Sequence, residues 1–175
     1  VGFPYTKLMT ASAFVDQSAA FIVVSEARAD ELGIPQDKRV YLHGEAHAHD
    51  TWVVSDRERL DQSPAMRLTS RAALAQAGKT IADVDVFDIY SCFPSLVQIA
   101  CKELGISPDD KRGLTVTGGL PYFGGPGNNY VTHAIAEIVQ RVRAKPGAYG
   151  LVMANVSLVT KAAVGLFSTE RPNKP

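Results

Sequence analysis

Cysteine, tryptophan and charge imbalance are all scarce in this 175-residue chain. Its two cysteines, Cys92 and Cys101, make neither a disulfide framework nor a four-ligand zinc site. A reducing compartment fits that scarcity, and the cytoplasm is the expected location. The 18 basic and 18 acidic residues cancel, and no basic tract or aromatic-basic stripe appears, so no nucleic-acid partner is expected. No apolar run approaches the length of a membrane span, and no signal-peptide pattern opens the chain. Internal repeats and low-complexity tracts are absent too. The 46% apolar content is enough for the core of one domain, residues 1–175. The chain starts at Val1 without a methionine and closes on Arg171-Pro172-Asn173-Lys174-Pro175, which reads as a linker. A fragment or subunit of something longer is the expectation.

Strand and helix patterns alternate along the chain. Ala19 to Val24 is a continuous apolar run, as in a strand buried on both faces. Ser25-Glu26 opens a helix over Ala27 to Leu32, stopped by Gly33 and Pro35. Arg39 to Leu42 reads as a second strand. Ser63-Pro64 starts a helix to Ala77, Asp85 to Tyr90 is a third strand, and Pro94 to Leu104 is a helix closed by Gly105. Leu114 to Thr117 is a short extended piece. Asn129 caps a helix over Tyr130 to Arg143, followed by strands over Tyr149 to Asn155 and Val164 to Ser168. The alternation predicts an α/β layered domain whose last two strands form a hairpin.

Five of the thirteen residues from Gly118 to Tyr130 are glycine, and the loop leads straight into a helix. Glycine admits close approach and positive φ, while a helix start presents free N–H groups. The loop therefore reads as a ligand site. It lacks the Lys-Ser/Thr ending of a P-loop and the spacing of a dinucleotide fingerprint. A second candidate is Asp88-Ile89-Tyr90-Ser91-Cys92-Phe93-Pro94, where a strand hands over to a helix. Ligands of open α/β sheets gather at such carboxyl ends. Asp88 sits in an apolar run and needs partners there. Held by backbone N–H groups, it would only shape the site.

Asp88 to Phe93, Thr117 to Leu120 and Gly124 to Gly127 together resemble the C-terminal half of the thiolase superfamily. The similar branch is that of sterol-carrier-protein-type thiolases and bacterial acetyl-CoA acetyltransferase-like proteins. Pro4 to Lys7 and Val15 to Ala20 extend the resemblance over nearly the whole chain. It implies a thiolase-like layered fold, with one mixed five-stranded sheet and helices on both faces. It also implies acyl-CoA as partner, coenzyme A as part of the substrate rather than a bound cofactor, an N-terminal half in the same or another chain, and a homo-oligomer.

The family's residues transfer unevenly. The Asn or His of its third-strand motif falls on Tyr90, and the following Cys-Phe on Cys92-Phe93. The histidine of its Gly-His-Pro motif falls on Gly125, between Gly124 and Pro126. Its second cysteine falls near Asn155, and its nucleophile belongs to the other half. The thiol activation that the histidine provides is therefore missing.

The resemblance makes Ser91, Cys92, Phe93, Gly124, Gly125, Pro126, Gly127 and Asn155 the substrate-binding set. Tyr90, with Asn128 and the loop N–H groups, would polarise a thioester carbonyl. Tyr90 has a second possible role as a packed phenol bonded to backbone. His133 is a weaker catalytic candidate, because the stripe Val131, Ala134, Ile135, Ile138, Val139, Val142 turns it away from the core. Cys101 shares a helix face with Val97, Ala100 and Leu104 and reads as core, and Cys92 as an unreactive site neighbour. His43, His47 and His49 could bind Zn²⁺ or Ni²⁺, or line a polar loop after the second strand. No regular conformation presents all three, and no metal is expected.

Three functions stay open: an acyltransferase domain of fatty-acid or sterol metabolism, a non-catalytic acyl-CoA-binding or assembly module, and a retro-aldol lyase acting on a β-hydroxyacyl-CoA through Tyr90. The purified 175-residue chain is expected to show no thiolysis. An acetoacetyl-CoA cleavage assay checks this, and robust cleavage contradicts it.

Overall fold

A computed structural model describes residues 3–156 and 158–172. Val1, Ser157 and the last three residues of the predicted linker lie outside them. The helices are α1 Glu26–Glu31, α2 Pro64–Gln76, α3 Pro94–Leu104 and α4 Tyr130–Ala144. The strands are β1 Tyr41–His49, β2 Val86–Ile89, β3 Tyr149–Val156 and β4 Lys161–Ser168. They form one mixed sheet in the order β1-β4-β3-β2, with β2 and β3 parallel and the other two pairings antiparallel.

The sheet has four strands rather than the five expected. The difference is Ala19 to Val24, which forms no strand and pairs with nothing among the described residues. Ile22 and Val23 are 87% and 81% exposed. An apolar run reports a need for cover, not which element provides it. Strand β1 is longer than expected and takes in the histidine cluster that reads as a loop. Small and polar residues have weak strand propensity, so pairing with β4 settles the matter.

Local chemistry fixes the helices. Ser63 Oγ accepts the Met66 N–H at 3.1 Å, and Pro64 follows at the first helical position. Gly105 ends α3 in the left-handed conformation at φ 71°. Helices α2 and α3 bury Met66, Ala73, Ala100 and Leu104 against Phe87, Ile89, Leu151 and Met153 on one face of the sheet. On the other face α4 buries Tyr130, Ala134, Ile138 and Val142 against Val152. Helices on both faces are thus observed. No helix among the described residues is long and apolar enough to cross a membrane.

Strand β1 lies directly under α2 at Gly44, where an added Cβ would overlap the carbonyl of Ala73. Gly44→Ala is therefore expected to cost about 2–3 kcal/mol of stability by forcing the two apart. Urea denaturation of the paired proteins measures it.

Candidate functional site

The carboxyl ends of β2 and β3, the glycine loop and the start of α4 meet at one place. Asp88 is fully buried there. One of its oxygens accepts from Thr115 Oγ1 at 2.8 Å, Thr117 Oγ1 at 3.0 Å, and the N–H groups of Val116 at 3.1 Å and Thr117 at 3.2 Å. The other accepts the Tyr130 hydroxyl at 2.9 Å. A buried carboxylate with this many donors is a structural tie, the shaping role open to it in the sequence. Burial, with the nearby Asp88 charge, raises the Tyr130 pKa well above its ordinary value.

Tyr90 extends β2 by one step: its N–H donates to the Met153 carbonyl at 3.2 Å, which places it beside Ala154. Its ring meets Tyr130 edge-on, with centroids 5.3 Å apart. No hydrogen bond claims its hydroxyl among the described residues, so the backbone-bonded phenol is not what forms. Burial pushes its pKa up, with the neighbouring Cys92 adding to the shift. Tyr90 is therefore a hydrogen-bond donor at neutral pH rather than a base.

The glycine loop is anchored rather than open. Ser91 Oγ accepts the Leu120 N–H at 3.1 Å. Gly119 has φ 80°, and a Cβ there would stand 2.7 Å from Ser91 Oγ, so only glycine fits. The N-terminal segment lies along the loop. Gly125 N–H donates to the Ser12 carbonyl at 2.8 Å, and Gln17 Nε2 donates to the Phe123 carbonyl at 2.7 Å. A Cβ on Gly125 would lie 3.2 Å from Ala11 Cβ and 3.4 Å from Leu120 Cδ2. A side chain at this position would therefore press on Ala11 and Leu120, which would have to give by a few tenths of an ångström. The Gly127 N–H donates back to the Gly125 carbonyl at 2.8 Å. Two of the loop N–H groups expected to face a ligand are thus engaged inside the protein. Pro126 separates these two glycines at the head of the 3-10 turn Gly127–Asn129.

The other predicted residues are more scattered. Phe93 stacks on Tyr5 with centroids 6.4 Å apart and is 43% exposed. Asn128 is exposed in the same 3-10 turn. Asn129 does not cap α4 through its side chain; its amide faces His133 Nε2 at 3.3 Å. His133 meets Phe123 edge-on at 5.1 Å, and Phe123 in turn meets Tyr130 at 6.0 Å. Two aromatic rings therefore stand between His133 and Tyr90. Asn155 is buried on the opposite face of the sheet from Tyr90, beside Ala162. Neither polar atom of its carboxamide has a partner among the described residues, which is costly for a buried amide.

The three histidines of β1 do not converge. His43 bonds the Glu170 carbonyl at 2.7 Å and lies against Tyr149, while His47 and His49 sit beyond an irregularity between Leu42 and Gly44. No cluster of three metal-ligating side chains occurs among the described residues. The partnership of Ala11 to Gln17 with the glycine loop had no sequence signal beyond the density of glycine.

A mixed four-stranded sheet with helices on both faces, and a glycine loop at the carboxyl end of its parallel pair, is the architecture of a thiolase-type domain. The family model described as thiolase C-terminal domain-like matches residues 46–171, and the chain belongs to that family. A monomeric SCP2-thiolase like protein type 1 from Mycobacterium smegmatis superposes with a TM-score of 0.87 at 42% identity, over 97% of this chain and 37% of that one. A probable acetyl-CoA acetyltransferase of Mycolicibacterium smegmatis is 29% identical over 75% of this chain and 32% of its own length. A 3-ketoacyl-CoA thiolase of Klebsiella pneumoniae is 26% identical over 85% of this chain and 36% of its own. The chain spans about a third of the length of these curated relatives.

Burial pushes the half-buried Cys92 thiol up to about 11, so it is a poor nucleophile at neutral pH. Its alkylation by iodoacetamide should stay slow at pH 7–8 and accelerate as pH rises toward 11. A plateau by pH 8, read by mass spectrometry of the Cys92 peptide, would contradict this.

Proposed function

We propose that this chain is the acyl-CoA-handling domain of an acetyl-CoA acetyltransferase-like protein of fatty-acid or sterol metabolism, with the usual activating histidine replaced by Gly125. Coenzyme A enters as part of the substrate, and no separate cofactor is needed. The observation that carries the reading is the unclaimed, protonated Tyr90 hydroxyl at the end of β2. It suits donation to a thioester carbonyl, whose oxygen gains charge as a nucleophile attacks. Asn128, an exposed amide in the 3-10 turn of the loop, would make a supporting contact.

The nucleophile comes from the N-terminal half, in the same or another chain. The exposed run Phe21 to Val24 fits a surface that such a half covers. The structural relative is described as monomeric, which favours one copy over the homo-oligomer that resemblance alone implies. The two cysteines are both free, in keeping with a cytoplasmic setting.

The tight space at Gly125, which a side chain enters only by pressing on Ala11 and Leu120, favours a second reading, a non-catalytic acyl-CoA-binding or assembly module. A retro-aldol lyase has less support. That reaction needs a group to take the β-hydroxyl proton, and the Tyr90 pKa moves the wrong way for a base.

Tyr90→Phe in the natural protein carrying this domain distinguishes the readings. An enzyme should lose about 100-fold in kcat with KM nearly unchanged, as when one carbonyl donor is removed. Acyl-CoA binding by calorimetry without turnover in either form supports the module.

A further inference from the structure

Strand β1 is an edge of the sheet, with β4 on its inner side. Along an edge, every second residue turns its N–H and C=O away from the sheet. Two contacts settle which residues these are. Asp50 N–H donates inward, to the Thr160 carbonyl at 2.9 Å. Glu45 turns outward: its N–H donates to Gln76 Oε1 at 3.0 Å, and its carbonyl accepts Gln76 Nε2 at 2.8 Å. His47 follows the same parity as Glu45. Its backbone N–H and C=O have no partner among the described residues. The carboxamide of Gln76, exposed at the end of α2, thus stands in for a neighbouring strand at one residue of the edge.

The edge is complementary to itself. Glu45 and His47 are both exposed on one face of β1. Neither forms an ion pair among the described residues. Two copies of β1 laid antiparallel about a two-fold axis at Ala46 set Glu45 of each against His47 of the other. Both residues turn their backbone outward, so the same register makes both pairs hydrogen-bonded pairs of an antiparallel ladder. A slip of one residue would set outward groups against inward ones. The flank of α2 agrees with this register. Leu68, Ala72 and Gln76 recur at the four-residue spacing of one helix side, and Gln76 shows that this side looks toward the edge. Leu68 is 60% exposed there, and Ala72 is exposed beside it.

We infer that the β1 edge is a pairing surface for the β1 edge of a second copy, and that Gln76 is the gate that keeps it closed. Glu45 belongs to both pairs, once from each copy, so a Gln76 carboxamide bonded to it blocks both. Release of Gln76 lets the two four-stranded sheets join into one, with Leu68 and Ala72 of the two α2 helices facing each other above the seam. The two-fold closes on itself, so assembly stops at the dimer. The closed gate leaves the chain as a single copy. The inference is independent of the proposed acyl-CoA function.

Sedimentation velocity on the natural protein carrying this domain, over a concentration series, tests this. Gln76→Ala frees the Glu45 backbone at an exposed helical position, so the variant should keep the thermal midpoint of the parent. It should dimerise at least about tenfold more tightly than the parent. In the Gln76→Ala background, His47→Glu sets like charges across the axis and should weaken that dimer about 5- to 10-fold. Adding Glu45→His puts opposite charges back across the axis and should recover it. A Gln76→Ala variant that stays as monomeric as the parent overturns the inference. A dimer indifferent to both charge substitutions overturns it too, because that dimer forms elsewhere. An open series of larger species in place of a dimer has the same consequence.

Discussion

The buried carboxylate of Asp88 is the tie on which the site depends. Five donors from two separate segments, Thr115 to Thr117 and the start of α4, converge on its two oxygens. An ionised group taken out of water is tolerable only with this kind of saturation. The consequence is positional. Thr115 to Thr117 is pinned to β2, so the glycine loop begins at a fixed point. Tyr130 is pinned to the same oxygen pair, so α4 begins at a fixed point. The ring of Tyr130 then holds Tyr90 edge-on. Asp88 has no valence left for proton chemistry, and its contribution to function is to aim other groups.

Glycine density in the loop has a packing cause before it has a ligand cause. Gly119 makes room for Ser91 Oγ, Gly124 for Gln17 and Val15, and Gly125 for Ala11. A side chain at position 125 would press first on Ala11 and Leu120, which would have to give by a few tenths of an ångström. The N-terminal segment is fitted to a loop without side chains there, and its own hydrogen bonds hold that loop.

The helices were legible in the sequence because their signals are local. Pro94 and Gly105 bracket α3 to the residue, and Ser63-Pro64 opens α2 as written. Strands were less so, because their partners lie far along the chain. Ala19 to Val24 has the composition of a buried strand and no neighbour among the described residues. The alternation of His43, Glu45, His47 and His49 with small residues is a strand with one face open, but weak propensity disguised it. At the site, the apolar flanks of Asp88 pointed to its structural role. The contact between Gln17 and Phe123 spans 106 residues and left no trace in spacing. Nor could the sequence show that Asn155 and Tyr90, close along neighbouring strands, face opposite sides of the sheet.

The electrostatics of the site set a direction for its chemistry. Tyr90, Cys92 and Tyr130 all have pKa values displaced upward, each chiefly by burial. Upward displacement keeps phenol and thiol protonated, so these groups donate hydrogen bonds and do not accept protons. The Asn155 carboxamide, on the opposite face of the sheet, is neither acid nor base at neutral pH. Tyr130 spends its hydroxyl on Asp88 and Thr117, which leaves Tyr90 as the phenol at this end of the sheet whose hydroxyl no other described residue claims.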